Sequence, residues 1–157
     1  MPPPSTPHAR PDTRLLDAAR GQLSFMRDRL RRYALLESPT GDAEALAACA
    51  EAIIAGHREI GGTTVRDGQH LITTWPGTAR TGPAVEPYLV ILGHYDTVWP
   101  VGQLASMPYV DDGTTIVGPG TYDMKGGLVA LEAALRVLAE LDVPLAREVR
   151  AVIVADE

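Results

Sequence analysis

Two short apolar runs constrain the fold of this chain more than any other feature. Residues 88–92 are apolar throughout, residues 149–155 are apolar except for Arg150, and both runs are bounded by polar or turn-forming residues. This pattern is typical of strands that are covered on both faces of a sheet. Between the two runs, leucines recur at helical spacing from residue 125 to 141. The alternation predicts an α/β fold with a mostly parallel or mixed sheet flanked by helices.

The N-terminal half predicts helices followed by a hairpin. Helical spacing extends over residues 12–36 with a break at Gly21, and Asp42 is placed to cap a second helix that ends near residue 60. Strands are predicted at 63–66 and 70–75, and a small hairpin at 109–117. We expect residues 1–11, which contain five prolines, to be a disordered tail.

Charge and cysteine usage exclude several classes of protein. The net charge of -6 argues against a nucleic-acid binder and against adsorption on anionic membranes. The single cysteine, Cys49, excludes a disulfide framework and a thiolate metal cage. A metal site would therefore use histidine and carboxylate ligands, and a reducing cytoplasm is the expected compartment. The N-terminus does not resemble a signal peptide, and no apolar run is long enough to span a membrane.

The first polar cluster follows the apolar run 88–92. His94 and Asp96 are two residues apart, so they point to the same side of an extended backbone. A carboxylate beside an imidazole can accept one N–H and leave the other nitrogen free for a metal. A histidine and an aspartate that merely end a strand are an equally good interpretation of this segment alone. His57 is predicted to be a packing or surface residue and His70 a surface strand residue, and neither is predicted to be a ligand.

The second cluster is the glycine-rich segment 118–127, which opens the long helix. It fails as a dinucleotide fingerprint because Asp123 stands where a glycine is needed, and it lacks the Gly-Lys-Ser/Thr of a P-loop. Asp123 could either ligate a metal or cap the helix. Lys125 is the only lysine beside thirteen arginines, which indicates a specific role for its ammonium group.

The third cluster is Asp156-Glu157, at the end of the second apolar run. Two acids at a strand end can provide a general base and a metal ligand. Open α/β sheets bind ligands at the carboxyl ends of their strands, so we expect the three clusters to meet. Imidazole and oxygen ligands suit zinc, manganese or cobalt, and a bridging carboxylate can hold two ions about 3.5–4 Å apart.

Three segments, 93–102, 118–127 and 155–157, resemble the motifs of the M20 family of metallopeptidases and amidohydrolases in their residues, their order and their spacing. The glutamate carboxypeptidase-like branch is the most similar. The turn at 38–42 is also similar to the family's N-terminal turn. The resemblance implies that residues 12–157 form the N-terminal part of a zinc-peptidase-type catalytic domain.

The resemblance also implies roles for individual residues. His94 would ligate one metal, Asp96 would orient His94, and Asp123 would bridge two divalent ions, with zinc first and cobalt or manganese as alternatives. Glu157 would be the general base that takes a proton from the attacking water. The peptide bond Asp123–Met124 would be cis.

The implied activity is hydrolysis of peptide or amide bonds, with release of a C-terminal amino acid such as glutamate. The alternatives are a deacylase of N-acylated amino acids, a dipeptidase, an inactive truncated remnant, or a non-catalytic partner module. The family's remaining ligands and its lid domain would follow residue 157, so we expect the catalytic domain to be truncated here. A small peptide or N-acyl amino acid substrate is implied, and a homodimer formed through the lid domain.

Overall fold

The computed structural model describes residues 13–78 and 88–157, and within them four helices accompany six strands. The expected tail at 1–11 and residues 79–87 lie outside the described residues. No helix within the described ranges is both long and apolar enough to cross a membrane. The elements are α1 (Thr13–Gly21), α2 (Leu23–Ala34), α3 (Ala43–Glu59), β1 (Thr63–Asp67), β2 (His70–Trp75), β3 (Leu89–His94), β4 (Val110–Asp111), β5 (Ile116–Val117), α4 (Gly126–Glu140) and β6 (Val149–Val154).

The main sheet is mixed and four-stranded, which confirms the predicted α/β class. Its strand order is β1-β2-β6-β3. Strand β2 pairs antiparallel with both β1 and β6, and β6 pairs parallel with β3. The strands β4 and β5 form the separate hairpin that was predicted near residues 109–117. One face of the main sheet packs on the helices, and Leu71, Trp75, Ala151 and Ile153 lie in that core.

The prediction that both apolar runs are covered on both faces is wrong for the described chain. Strand β3 is the edge strand, and Leu89, Val90 and Leu92 are 54%, 44% and 71% exposed. Strand β6 lies between two partners, but Arg150 and Val152 on its second face are only half-buried. A continuous apolar run indicates what a strand can bury, whereas the actual cover depends on which elements pack against it.

The helices follow their sequence signals. The first helical stretch breaks after Gly21, and the Asp42 side chain accepts a hydrogen bond from the backbone N–H of Ala45 at 3.0 Å, which caps α3. Helix α3 buries Leu46, Cys49, Ile53 and His57, so His57 is a packing residue and not a surface one. The His57 Nδ1 atom lies 2.8 Å from Thr73 Oγ1, so the imidazole joins α3 to the sheet.

A buried polar cluster joins the helices to one another. Glu132 of α4 is fully buried, accepts a hydrogen bond from the Tyr33 hydroxyl, and lies 3.2 Å from the Arg29 guanidinium. Burial raises the pKa of Glu132 even though Tyr33 and Arg29 act in the opposite direction. Arg29 also pairs with Glu59 at the end of α3. Gly56 packs directly against this cluster, because a Cβ there would lie 2.5 Å from the Tyr33 hydroxyl oxygen.

The substitution Gly56→Ala should lower the free energy of unfolding by about 1–3 kcal/mol, because the new methyl group forces the buried cluster apart. Gly21→Ala is the matched control, since a Cβ at Gly21 meets nothing within 4 Å. Urea unfolding of the two variants measures the difference. Equal stabilities would show that the cluster at Gly56 can yield without cost.

The buried imidazole of His57 makes stability depend on pH. Burial, followed by the charge of Arg29, lowers the pKa of His57 to about 4. The unfolded imidazole binds a proton below its ordinary pKa of about 6.5, while the folded imidazole stays neutral. The His57 contribution is therefore fully present above pH 6.5, falls as the pH drops below 6.5, and levels off near pH 4.

Stability should thus fall by about 2 kcal/mol between pH 7 and pH 5 on account of His57 alone. The expected loss is absent from His57→Gln, and urea unfolding of both proteins at the two pH values isolates it. NMR titration of the native protein provides an independent check. An imidazole of His57 that protonates near pH 6.5 in the folded state would refute this account.

Candidate metal centre

The pairing of β3 with β6 determines where the first and third polar clusters lie. His94 is level with Val154 in the parallel register, and Glu157 follows β6 by three residues. The turn before α4 brings Asp123 to the same sheet edge. One ligand atom each from His94, Asp123 and Glu157 lies within 4.8 Å of the others. The structure therefore brings together the three residues that the sequence placed at separate strand ends.

The two nitrogens of His94 face different groups. Nε2 lies 3.0 Å from Asp123 Oδ1 and 2.9 Å from Glu157 Oε2. Nδ1 lies 3.1 Å from the backbone oxygen of Asp96 and 3.4 Å from its Oδ1. Asp96 is buried while Asp123 and Glu157 are exposed. The imidazole is thus held from the protein side and presents Nε2 to the open side.

The donor set fits a divalent cation. Burial alone would lower the pKa of His94, but the hydrogen bond with Asp123 and the charges of Glu157 and Asp96 outweigh it, so the pKa is raised. Two carboxylates that converge on one imidazole repel each other, and a cation between them offsets that repulsion. One nitrogen and two oxygen donors suit zinc, manganese or cobalt better than a soft thiophilic metal.

The turn that carries Asp123 packs closely on β3. Met124 Sδ accepts a hydrogen bond from the backbone N–H of His94 at 3.3 Å. Gly120 has a φ of +66°, and a Cβ there would lie 2.7 Å from Thr97 Cγ2, so this position requires glycine. The Asp123–Met124 peptide bond is cis. Helix α4 begins at Gly126 without a side-chain cap, so Asp123 does not cap it.

The only lysine of the chain has a structural role. Lys125 is buried, and its Nζ donates to the backbone oxygens of Tyr33 at 3.1 Å and Leu36 at 2.8 Å. Burial lowers the pKa of this ammonium group. The lysine therefore fastens the start of α4 to the end of α2, and it does not point toward the metal cluster.

The remaining predicted polar residues lie beside the cluster. Asp156 is directed toward His70, with 3.8 Å between Oδ1 and Nδ1, so only Glu157 of the terminal pair joins His94. His70 was expected to be a surface residue without a partner, but its Nδ1 also accepts from the backbone N–H of Ala155 at 3.3 Å. This contact holds the end of β6 against β2.

A cavity of about 310 Å³ opens in front of the cluster. Its described lining includes Trp99, Met107 and Tyr122 but no lysine or arginine. Tyr122 is 97% exposed. These neutral wall residues were missed at the sequence level, although two of them stand within the segments 93–102 and 118–127.

Sequence comparison finds a family match in the C-terminal part of the chain. Residues 90–157 match the profile of peptidase family M20/M25/M40. The chain is 29% identical over 139 residues to carboxypeptidase G2 of Pseudomonas sp. (strain RS-16), a match that covers 84% of this chain and 32% of that protein. The chain thus spans about a third of the length of this curated relative.

Solved structures share the fold. Human carnosine dipeptidase 1 superposes with a TM-score of 0.73 at 13% identity, covering 91% of this chain and 34% of that one. Aminopeptidase PepT from Bacillus cereus superposes with a TM-score of 0.66 at 22% identity, covering 83% and 35%. At these identities the likeness establishes the fold alone.

The cluster predicts a measurable metal affinity. Asp123→Asn should weaken zinc binding by at least about 100-fold, since even losing a partner of a ligand costs 10–100-fold. Asp28→Asn removes the same charge from an exposed position on α2 and should leave the affinity unchanged. Isothermal titration of the metal-free protein measures both. Equal affinities for the two variants would show that Asp123 is not a ligand.

Proposed function

We propose that this chain, whose residues 90–157 match the profile of peptidase family M20/M25/M40, comes from a metal-dependent hydrolase of peptide or amide bonds. The observation that carries the proposal is the convergence of His94, Asp123 and Glu157 within 4.8 Å at one sheet edge. An imidazole and two carboxylates in front of an open cavity are the parts that metal-assisted hydrolysis requires.

In this proposal each of the four site residues has one role. His94 and Asp123 would hold the metal ions through the imidazole Nε2 and the carboxylate. Asp96 orients His94 through Nδ1, from which its own oxygens lie 3.1 and 3.4 Å away. Two divalent ions, zinc or alternatively cobalt or manganese, would polarise the carbonyl and lower the pKa of water.

Glu157 acts as the general base. Its side chain is largely exposed and lies on the Nε2 side of His94, where the attacking water must stand. The carboxylate accepts a proton as the water oxygen bonds to the carbonyl carbon. The same proton then passes to the leaving amine as the carbon–nitrogen bond breaks, which restores the carboxylate.

The proposed substrate is a small peptide or an N-acyl amino acid. Similarity to carboxypeptidase G2 supports release of a C-terminal amino acid, with glutamate as the first candidate. The likeness to a dipeptidase fold keeps dipeptide hydrolysis as the second candidate, and deacylation of N-acyl amino acids uses the same bond chemistry. We also propose that the whole protein is a homodimer formed through a lid domain. Its proposed location is the cytoplasm. Buried Cys49, the one cysteine in the sequence, agrees with a reducing compartment.

Glu157→Gln in the whole protein should lower kcat for peptide hydrolysis by about 10²–10⁴-fold, because the water loses its proton acceptor. The bound metal content should not change. Asp156→Asn is the matched control, as this neighbouring exposed acid faces His70 instead of the cluster. Steady-state kinetics with C-terminal glutamyl peptides and metal analysis provide the two measurements.

Near-normal turnover by Glu157→Gln would remove Glu157 from the role of base. If the wild-type protein binds zinc through His94 and yet cleaves no peptide, dipeptide or N-acyl amino acid, the non-catalytic partner becomes the better account.

A further inference from the structure

The turn that precedes α3 clamps the backbone that follows β3. Ser38 Oγ donates to the backbone oxygen of Tyr95 at 2.7 Å, and the Ser38 backbone oxygen accepts from the N–H of Thr97 at 2.8 Å. The Thr40 N–H then donates to the Thr97 oxygen at 3.1 Å. Residues 95–97, and with them Asp96, are therefore held by a segment more than fifty residues earlier in the chain.

Within this clamp the Thr40 hydroxyl reaches the Asp96 carboxylate. Thr40 Oγ1 lies 2.7 Å from Asp96 Oδ2 and 3.5 Å from the backbone oxygen of Thr97. An ionised carboxylate only accepts hydrogen bonds, so the hydroxyl is the donor, and the shorter contact takes its proton. The other carboxylate oxygen, Asp96 Oδ1, is buried without a hydrogen-bond partner among the described residues.

The hydrogen bond from Thr40 matters because the other oxygen of the same carboxylate, Asp96 Oδ1, lies beside His94. Asp96 Oδ1 is 3.4 Å from His94 Nδ1, and Asp96 as a whole is 1% exposed. A buried carboxylate that loses its donor is costly to keep in place. The Thr40 hydroxyl therefore stabilises the side-chain rotamer of Asp96 that keeps Oδ1 beside the imidazole.

We propose that Thr40 is a positioning residue that acts through Asp96 on His94. By fixing the carboxylate, Thr40 keeps Asp96 Oδ1 beside Nδ1 and so holds the His94 ring with Nε2 facing Asp123 and Glu157. The metal-holding part of this inference rests on the proposed function. The orientation of the His94 ring does not depend on it.

Three variants separate the hydroxyl from the turn. Thr40→Val keeps the branched shape and removes the donor, whereas Thr40→Ser keeps the donor and removes a methyl group. Ser38→Ala is the matched control, because it breaks the clamp at Tyr95 and leaves the contact between Thr40 and Asp96 in place. Thr40→Ala serves as a second donor-free variant if Thr40→Val does not fold.

The first readout is the orientation of the His94 ring and of the Asp96 carboxylate, observed in crystal structures of the metal-free variants. The wild type, Thr40→Ser and Ser38→Ala should keep Asp96 Oδ1 beside Nδ1 and Nε2 toward Asp123 and Glu157. Thr40→Val should show a different Asp96 rotamer and a rotated His94 ring. The wild-type arrangement of both side chains in Thr40→Val and Thr40→Ala would overturn the proposal.

The second readout is zinc affinity by titration of the whole protein. Thr40→Val should bind about 10–100-fold more weakly than the wild type, with Thr40→Ser restored to within a few-fold. Ser38→Ala should lose thermal stability but keep its affinity. Equal affinity losses in Ser38→Ala and Thr40→Val would assign the effect to the turn and overturn the role of the hydroxyl.

The two proposals fail in different ways. A wild-type protein that hydrolyses no amide, but whose His94 ring turns in Thr40→Val, contradicts the proposed function and supports the positioning role. An active wild-type enzyme whose His94 orientation and zinc affinity are unchanged by Thr40→Val contradicts the positioning role alone.

Discussion

The parallel pairing of β3 with β6 is the constraint on which the candidate site depends. It sets His94 level with Val154, so the two strands end together and Glu157 arrives beside Nε2 of the imidazole. A shift of this pairing by one residue would turn His94 to the opposite face of the sheet and separate it from the carboxylates. The buried residues of β6 resist such a shift, since Ala151 and Ile153 would leave the core.

The turn before α4 supplies the third member of the cluster, Asp123, and two buried polar contacts locate α4. Lys125 fastens its first turn to the carbonyl oxygens at the end of α2, while Glu132 joins its middle to Tyr33 and Arg29. Both groups are charged or polar side chains that burial would disfavour without partners. Their pairing fixes the turn before α4, and so the position of Asp123. The site is therefore assembled by long-range pairing of strands and by helix docking, with Thr40 as a further fixed point.

Local sequence signals predicted the elements well because their causes are local. Asp42 caps α3, Gly21 marks the break between α1 and α2, and the leucine spacing of α4 gives its buried stripe. The meeting of His94, Asp123 and Glu157 was also predictable, since strand ends in an α/β sheet converge at one edge. The exposure of Leu92 was not predictable, because cover depends on which element packs against a strand.

Three polar contacts were beyond sequence reasoning for a related cause. A glutamate on a helix is usually exposed, so nothing local marks Glu132 as buried. The composition indicated a role for Lys125, but its carbonyl partners lie about ninety residues away. The hydrogen bond between Thr40 and Asp96 likewise joins two segments 56 residues apart. Such contacts exist only once the chain has folded.

A crystal structure of the whole protein grown with zinc, with anomalous diffraction collected at the zinc edge, would test the account most directly. The account predicts an anomalous peak about 2.0–2.2 Å from both His94 Nε2 and an Asp123 carboxylate oxygen, with Asp96 still beside Nδ1. Zinc bound elsewhere, or His94 and Asp123 without a peak between them, would contradict it.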